Sequence, residues 1–522
     1  MTLKRTARMI PVLILCAFLV GACAPEPQRQ SERDFVTLTP LPSQRASTTD
    51  TLIPDPYALS PTLEPAPGAS DQSGSDAHYR IDAVLSWSER ALRVEQTVTY
   101  RNNSASPLES LVFTVEINRD EGHFSLETVS VGEQAVEKYT LDGARLEIPL
   151  PEPLRAHGDT DLSLTFDLIL PEIQDGYENG HLGYWGYSPR QTNLGLWFPL
   201  VAARDSAEGW LTPEPHWLGE HFALPVADFS VQLTIEGGPD MVRVAGPGAV
   251  SRPGAHSWRF ELTAAREVAI SVSDGFRTLS ASAPSGVGID LFYFPEADAQ
   301  TLDTPRHALY TAVDALALYE DLYGAYPHRR LVIVEGDFPD GMEFSGLVFV
   351  SEAWFRAWQH VPNDWLTIIT AHEVAHQWWY ALVGNDQAHD PYLDEALATY
   401  SEALFFERYY PDYLNWWWSF RIAKYKPTGY VDTPIYALYS PRGYVDTVYL
   451  RGALMMQALR VDLGDEAFLA WLHHYVDRMA GKIASPVDFW RALPADAYAQ
   501  TANTRSHYLQ QPDPLPPPDN IP

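Results

Sequence analysis

The sequence predicts a multidomain protein: an N-terminal all-β sandwich or saddle-shaped domain followed by a mainly helical α+β domain. Three observations predict it. At 522 residues the chain is too long for one ordinary core. From about 79 to 276 apolar residues recur with period two, as at Leu92, Val94, Val98 and Tyr100 and again at Leu162, Leu164, Phe166, Leu168 and Leu170. After about Leu291 the period lengthens. Residues 307–323 read as a helix, 331–335 as a short strand, and helices dominate from Asp364 onward.

The β region is divided by breakers such as Asn102-Asn103-Ser104, Asp142-Gly143 and Gly237-Gly238-Pro239, which suit an antiparallel arrangement. The apolar content of 46% is that of a folded chain. A formal net charge of −32 excludes a nucleic-acid binder, whose affinity for phosphate needs clustered Lys and Arg. Its ordinary meaning is solubility, with steering of cationic peptides as a further reading.

The two ends carry their own signals. Lys4, Arg5 and Arg8 precede an apolar run over 9–22 that closes in Val20-Gly21-Ala22-Cys23. The run is short for a membrane span and has the basic start and small-residue end of a secretory signal. It resembles a bacterial lipobox, so residues 1–22 are expected to be removed and Cys23 to carry lipid; an uncleaved anchor and a plain signal peptide are the alternatives. The expected location is the bacterial cell envelope, lipid-anchored and facing outside the cytoplasm. Cys16 would leave with the signal, so the exported chain would hold no disulfide. The expected organisation is a signal at 1–22, a Pro/Ser/Thr-rich tether at 23–76, the β domain at 77–276, the second domain at 277–505 and a disordered Pro-rich tail at 506–522.

The chemistry lies in the second domain. His372-Glu373-Val374-Ala375-His376 is an H-E-x-x-H pattern in helical surroundings, with Asn363 or Asp364 to start the helix and Gly384 to end it. On a helix, positions i and i+4 share a face, so both imidazoles reach one metal and Glu373 sits beside it. Two histidines on an ordinary amphipathic helix are the bland alternative. Asp390 and Pro391 suit the start of a second helix running to about Tyr410, with Glu395 one turn in. Eighteen residues separate His376 from Glu395, enough for the second helix to fold back and complete a two-His, one-Glu site with one position open for water. Zn²⁺ is the expected metal for such N,N,O donors, with cobalt and manganese as substitutes in vitro.

His372, Glu373, His376 and Glu395 at this spacing resemble the gluzincin signature of the aminopeptidase N family, peptidase family M1. Gly341-Met342-Glu343 resembles the end of that family's G-A-M-E-N exopeptidase motif, and Tyr449-Leu450-Arg451-Gly452 its tyrosine motif, with Tyr444 five residues earlier. The resemblance spans roughly 79–500 and implies a β domain before a thermolysin-like catalytic domain. It implies that His372, His376 and Glu395 hold one Zn²⁺, that Glu373 moves protons and that Tyr449 stabilises the oxyanion. Gly341, Met342 and Glu343 would bind substrate, with Glu343 on the free α-ammonium of a peptide. Thr399 and Glu402 are candidates to support the ligands, or members of a solvated helix face.

Departures from the pattern keep other readings open. Asp340 stands for the motif's first Gly, Gly341 for its Ala and Phe344 for its Asn, which loosens the expected exopeptidase register. No long helical region follows about residue 500, so an open cleft is expected, admitting longer peptides. An endopeptidase or partner-specific protease is therefore the alternative, and a catalytically silent binding module a further one. Trp378-Trp379-Tyr380 and Trp416-Trp417-Trp418 read as core rather than pocket, and His473-His474 as an ordinary helix face.

Overall fold

The computed structural model describes residues 75–119, 122–173, 182–205, 209–295 and 302–515. The predicted signal, Cys23 and nearly all of the predicted tether lie outside these residues. The described residues belong to one compact unit. Among them, no helix is long and apolar enough to cross a membrane.

The first part is all β. Its largest sheet has eight strands, ordered Ala249–Gly254, Ser257–Ala265, Ala227–Glu236, Ala77–Ser86, Ala91–Arg101, Asp159–Ile169, Phe124–Val131 and Gln134–Ala135. The period-two pattern works as expected: Leu92, Val94, Gln96, Val98 and Tyr100 are all buried, while Arg93, Glu95, Thr99 and Arg101 face out. Gln96 is tolerated inside because its amide donates to the Pro199 carbonyl at 2.8 Å. One expectation needs correction, since Ala77–Ser86 pairs in parallel with Ala227–Glu236. Between them the chain lays four other strands of the same sheet and contributes to three smaller sheets before returning, a separation that a simple hairpin reading does not anticipate.

A five-stranded sheet joins the two parts, in the order Arg277–Ser282, Gly288–Tyr293, Arg330–Gly336, Leu347–Ser351, Gly341–Phe344. The helix Asp303–Tyr323 makes the crossover between the two parallel strands Gly288–Tyr293 and Arg330–Gly336. Side-chain alternation divides this sheet between two cores. Leu331, Ile333, Val348 and Val350 pack with the helices. Val332, Val334, Met342, Phe344, Leu347 and Phe349 pack with the β part.

The helical part corrects two predicted boundaries. The motif helix is Trp365–Ala375 and stops well before Gly384. Beyond it Trp378 donates to Gly324, Trp379 to Ser401 and Tyr380 to Glu267, and Tyr380 takes a φ of 129°. Three buried aromatics reaching three different partners cannot share one helix face. The next helix is Glu395–Tyr409, preceded by a 3₁₀ turn at Pro391–Leu393, with Asp394 rather than Asp390 as its cap. The expected tail also begins later: the helix Ala502–Tyr508 crosses position 506, Leu509 is buried, and Asp432 accepts from the amides of Gln510 and Gln511.

Arg266 fastens the two parts together. Fully buried, it donates to the carbonyls of Leu224, Tyr380, Leu382 and Lys482. Replacing it by Leu leaves four carbonyl acceptors, two of them buried, without this donor, and we expect a loss of about 3–5 kcal/mol in unfolding free energy, read from the shift of a urea transition. A shift below about 1 kcal/mol would contradict this role.

Candidate active site

Asp364 caps the motif helix by accepting from the Leu366 amide at 3.2 Å. His372 lies in its last turn, and His376 is the residue that closes it. Their Nε2 atoms are 3.1 Å apart. The Nδ1 of His376 lies 2.8 Å from the Trp379 carbonyl, which only accepts, so this nitrogen carries the proton and Nε2 presents a lone pair. The Nδ1 of His372 faces Glu402 at 2.9 Å, which imposes the same tautomer. Glu395 brings Oε2 to 3.2 Å from one Nε2 and 3.5 Å from the other.

All three side chains are buried, and their ligand atoms lie within 4.8 Å of one another. Two lone pairs and a carboxylate facing each other away from water are unfavourable without a cation among them. The residues therefore fit a divalent metal, and an N,N,O donor set fits zinc. Because Glu395 opens its helix rather than lying one turn in, its carboxylate is also favoured by the helix N-terminus.

The expected support from Glu402 is present and is not a solvated face. Glu402 is fully buried and uses both oxygens. Oε1 meets His372 Nδ1 and accepts from Arg421 Nη2 at 3.0 Å; Oε2 accepts from Trp417 Nε1 and Arg421 Nε, each at 3.0 Å. Against the cost of burial, Arg421 and His372 keep the carboxyl low, so it orients the imidazole as an anion. Thr399 is also buried, but its hydroxyl has no hydrogen-bond partner among the described residues.

The remaining predicted residues converge on the same spot, one excepted. Glu373 is buried with Oε2 unpartnered among the described residues. Its Oε1 presses on Gly341, where a Cβ would come within 2.1 Å, so only glycine allows this approach. The Tyr449 hydroxyl donates to Glu395 Oε1 at 2.5 Å, with its ring parallel to His372 at 6.0 Å and Tyr444 edge-on at 5.3 Å. Gly452 makes this possible by lying against Ala396, where a Cβ would approach to 2.3 Å, so the two helices meet closely. Glu343 lies in the strand Gly341–Phe344, and Gln387 donates to it at 3.4 Å. Met342 is the exception: it points into the core shared with the β part, and cannot touch substrate with its side chain. Alternation along Gly341–Phe344 sends odd residues to the site and even ones to the core, Phe344 included.

Two contributors left no readable signal in the sequence. Glu220 reaches in from the β part, and its carboxylate groups with those of Glu343 and Glu395 within 4.8 Å. Burial, with Glu220 and Glu395 adding to it and His376 opposing, pushes Glu343 up to about 7. Gln377 clamps the hairpin that carries Glu343, accepting from the Gly346 amide at 2.9 Å and donating to the Phe344 carbonyl at 3.0 Å. An amide beside His376 looks like any polar residue at a helix end.

Replacing Glu402 by Gln removes the anionic acceptor for His372 while keeping shape. We expect metal affinity to fall 10- to 100-fold, measured by competition with a chromophoric chelator. An unchanged affinity would show that Arg421 and Trp417 alone hold the site.

Residues 307–507 match the peptidase family M1 domain. Endoplasmic reticulum aminopeptidase 2 of Bos taurus is 26% identical over 376 residues, 67% of this chain and 37% of that protein. The Homo sapiens protein of the same name is 30% identical over 246 residues, 43% and 25% of the two chains. Aminopeptidase N of Lactobacillus delbrueckii subsp. lactis is 28% identical over 257 residues, 45% and 30% of the two. The chain thus spans about a third or less of the length of these curated relatives. An M1 zinc metallopeptidase from Deinococcus radiodurans shares the fold, with a TM-score of 0.60 at 19% identity over 85% of this chain and 95% of that one.

Proposed function

We propose that the protein, residues 307–507 of which match the peptidase family M1 domain, releases N-terminal residues from peptides by zinc-dependent hydrolysis. The observation that carries the reading is one buried cluster holding three distinct devices. Metal donors His372, His376 and Glu395 adjoin the carboxyl of Glu373, and Glu343 and Glu220 lie beside them as a pair of acids suited to an ammonium group.

Bound zinc supplies Lewis acidity, polarising a carbonyl and acidifying water. Glu373 then has the position of proton carrier, accepting from the attacking water and returning the proton to the leaving amine. The Tyr449 hydroxyl stands beside the donor set, where oxygen charge develops in the transition state and a donor contributes most. Glu343 and Glu220 place the peptide by its charged end, which sets cleavage one residue in. Burial helps here, because a carboxylate–ammonium contact is stronger away from water.

Glu373→Gln is expected to lower kcat by 10²- to 10⁴-fold with zinc content unchanged by metal analysis. Tyr449→Phe is expected to cost 10²- to 10³-fold in kcat with little change in KM. The deciding experiment digests a peptide library, free and N-acetylated, and follows the products by mass spectrometry. Stepwise loss of N-terminal residues from free peptides only supports the proposal. Internal cuts in both forms would make the protein an endopeptidase, and zinc uptake without cleavage a binding module.

We also propose that Cys23 carries lipid and anchors the protein to the bacterial cell envelope, facing outside the cytoplasm. Support comes from Lys4, Arg5 and Arg8 ahead of an apolar run that closes in Val20-Gly21-Ala22-Cys23. Cys23→Ala should then move the protein from the detergent to the aqueous phase on phase separation.

A further inference from the structure

We propose that Glu116, Arg119 and His221 position Glu220, so that the spacing of the acid pair that takes the substrate's ammonium group is set from the β part. This deepens the aminopeptidase reading and rests on it. Glu220 lies in the segment 212–226, between the strands Gly209–Leu211 and Ala227–Glu236. Its carboxylate comes within 4.8 Å of those of Glu343 and Glu395, while the next residue, His221, turns to the β part. There His221 Nε2 meets Glu116 Oε1 at 3.0 Å, and both side chains are buried. Glu116 opens the 3₁₀ turn Glu116–Asn118, just past the strand Leu108–Thr114. Arg119 closes that turn; its Nη1 donates to the same Oε1 at 2.7 Å and its Nη2 to the His216 carbonyl at 2.5 Å. One turn of the β part therefore holds the segment at 216 and again at 221. Glu220 lies between the two fastenings, one residue from the second.

The helical part bounds the same segment on its other side. The Tyr436 hydroxyl donates to the Glu214 carbonyl at 2.8 Å, and the Gln387 backbone amide to the Phe222 carbonyl at 3.3 Å. Gln387 also donates through its side chain to Glu343, so one residue touches both the segment and the second acid of the pair. Gly219 lies against Tyr444, where a Cβ would come within 2.8 Å of the hydroxyl. These contacts are neutral or long, whereas the fastening to the β part is charged. Burial would raise the Glu116 carboxyl, but His221 and Arg119 hold it low, so it acts as an anion. Charge-assisted bonds of this kind are stronger than neutral ones and costly to leave unmade at a buried position. The three side chains act through Glu220, as positioning residues.

The test measures kcat and KM for one free peptide with wild type, Glu116→Gln, Glu220→Gln and the double variant, with thermal unfolding as the check on folding. Glu116→Gln keeps the shape and removes the charge that His221 and Arg119 meet. It is expected to raise KM roughly three- to tenfold with kcat within about twofold, because the metal donors and Glu373 are untouched. In the Glu220→Gln background the same change is expected to cost nothing further, since the group it positions no longer carries charge. A residue that only stabilises the fold would lower the unfolding midpoint in both backgrounds and leave KM alone. Arg119→Ala, at a partly exposed side chain, supplies the same comparison where Glu116→Gln does not fold. An unchanged KM, a loss confined to kcat, an equal rise of KM in the Glu220→Gln background, or failure of both variants to fold overturns the positioning role and leaves the aminopeptidase reading standing. Failure of wild type to shorten any free peptide overturns both.

Discussion

Side-chain alternation across the five-stranded sheet is the constraint on which the rest of this structure depends. One face of the sheet closes the helical core and the other closes the β core, so neither part is complete without it. The same alternation, continued into the short edge strand Gly341–Phe344, aims Gly341 and Glu343 at the site and buries Met342 and Phe344 behind it. A slip of one residue would exchange those roles, placing a phenylalanine in the cleft and an acid in the core. Gln377 and Glu267 guard the register, the first by gripping Phe344 and Gly346 and the second by accepting from the Ser345 amide.

Onto that frame the site adds a concentration of buried acid. Glu220, Glu343, Glu373 and Glu395 are all within a tenth of full burial, together with Asp394. Such a cluster is costly when left to itself, because each charge loses water and meets another of its own sign. Under the proposed function, cations would relieve that cost at two points, a metal among His372, His376 and Glu395 and an ammonium group beside Glu343. Glu402 belongs to a different class, because Arg421, Trp417 and His372 saturate it and leave it to hold geometry.

Local pattern made part of this legible before any fold was known. The spacing of His372, His376 and Glu395 converts directly into one face of a helix and the start of the next, and Asp364 signals the first boundary through its side-chain chemistry. Boundaries that depend on partners elsewhere were not legible. The early end of the motif helix reflects where Trp378, Trp379 and Tyr380 find acceptors, and those acceptors come from Gly324, Ser401 and Glu267. The parallel pairing of Ala77–Ser86 with Ala227–Glu236 is likewise a long-range choice.

By itself the sequence determined that His372, Glu373 and His376 lie close on one helix and where the chain changes from period two to helical period, while Tyr449 was legible only through the resemblance of its motif. The first two features depend on neighbours within a few turns of one element, and covalent spacing dictates them. Only the tertiary structure decided that Glu220 crosses from the β part to join Glu343, that Met342 faces away from the site, and that Gly341 must lack a side chain for Glu373 to lie where it does. Each of these is a contact between segments distant along the chain, and close packing rather than periodicity selects it.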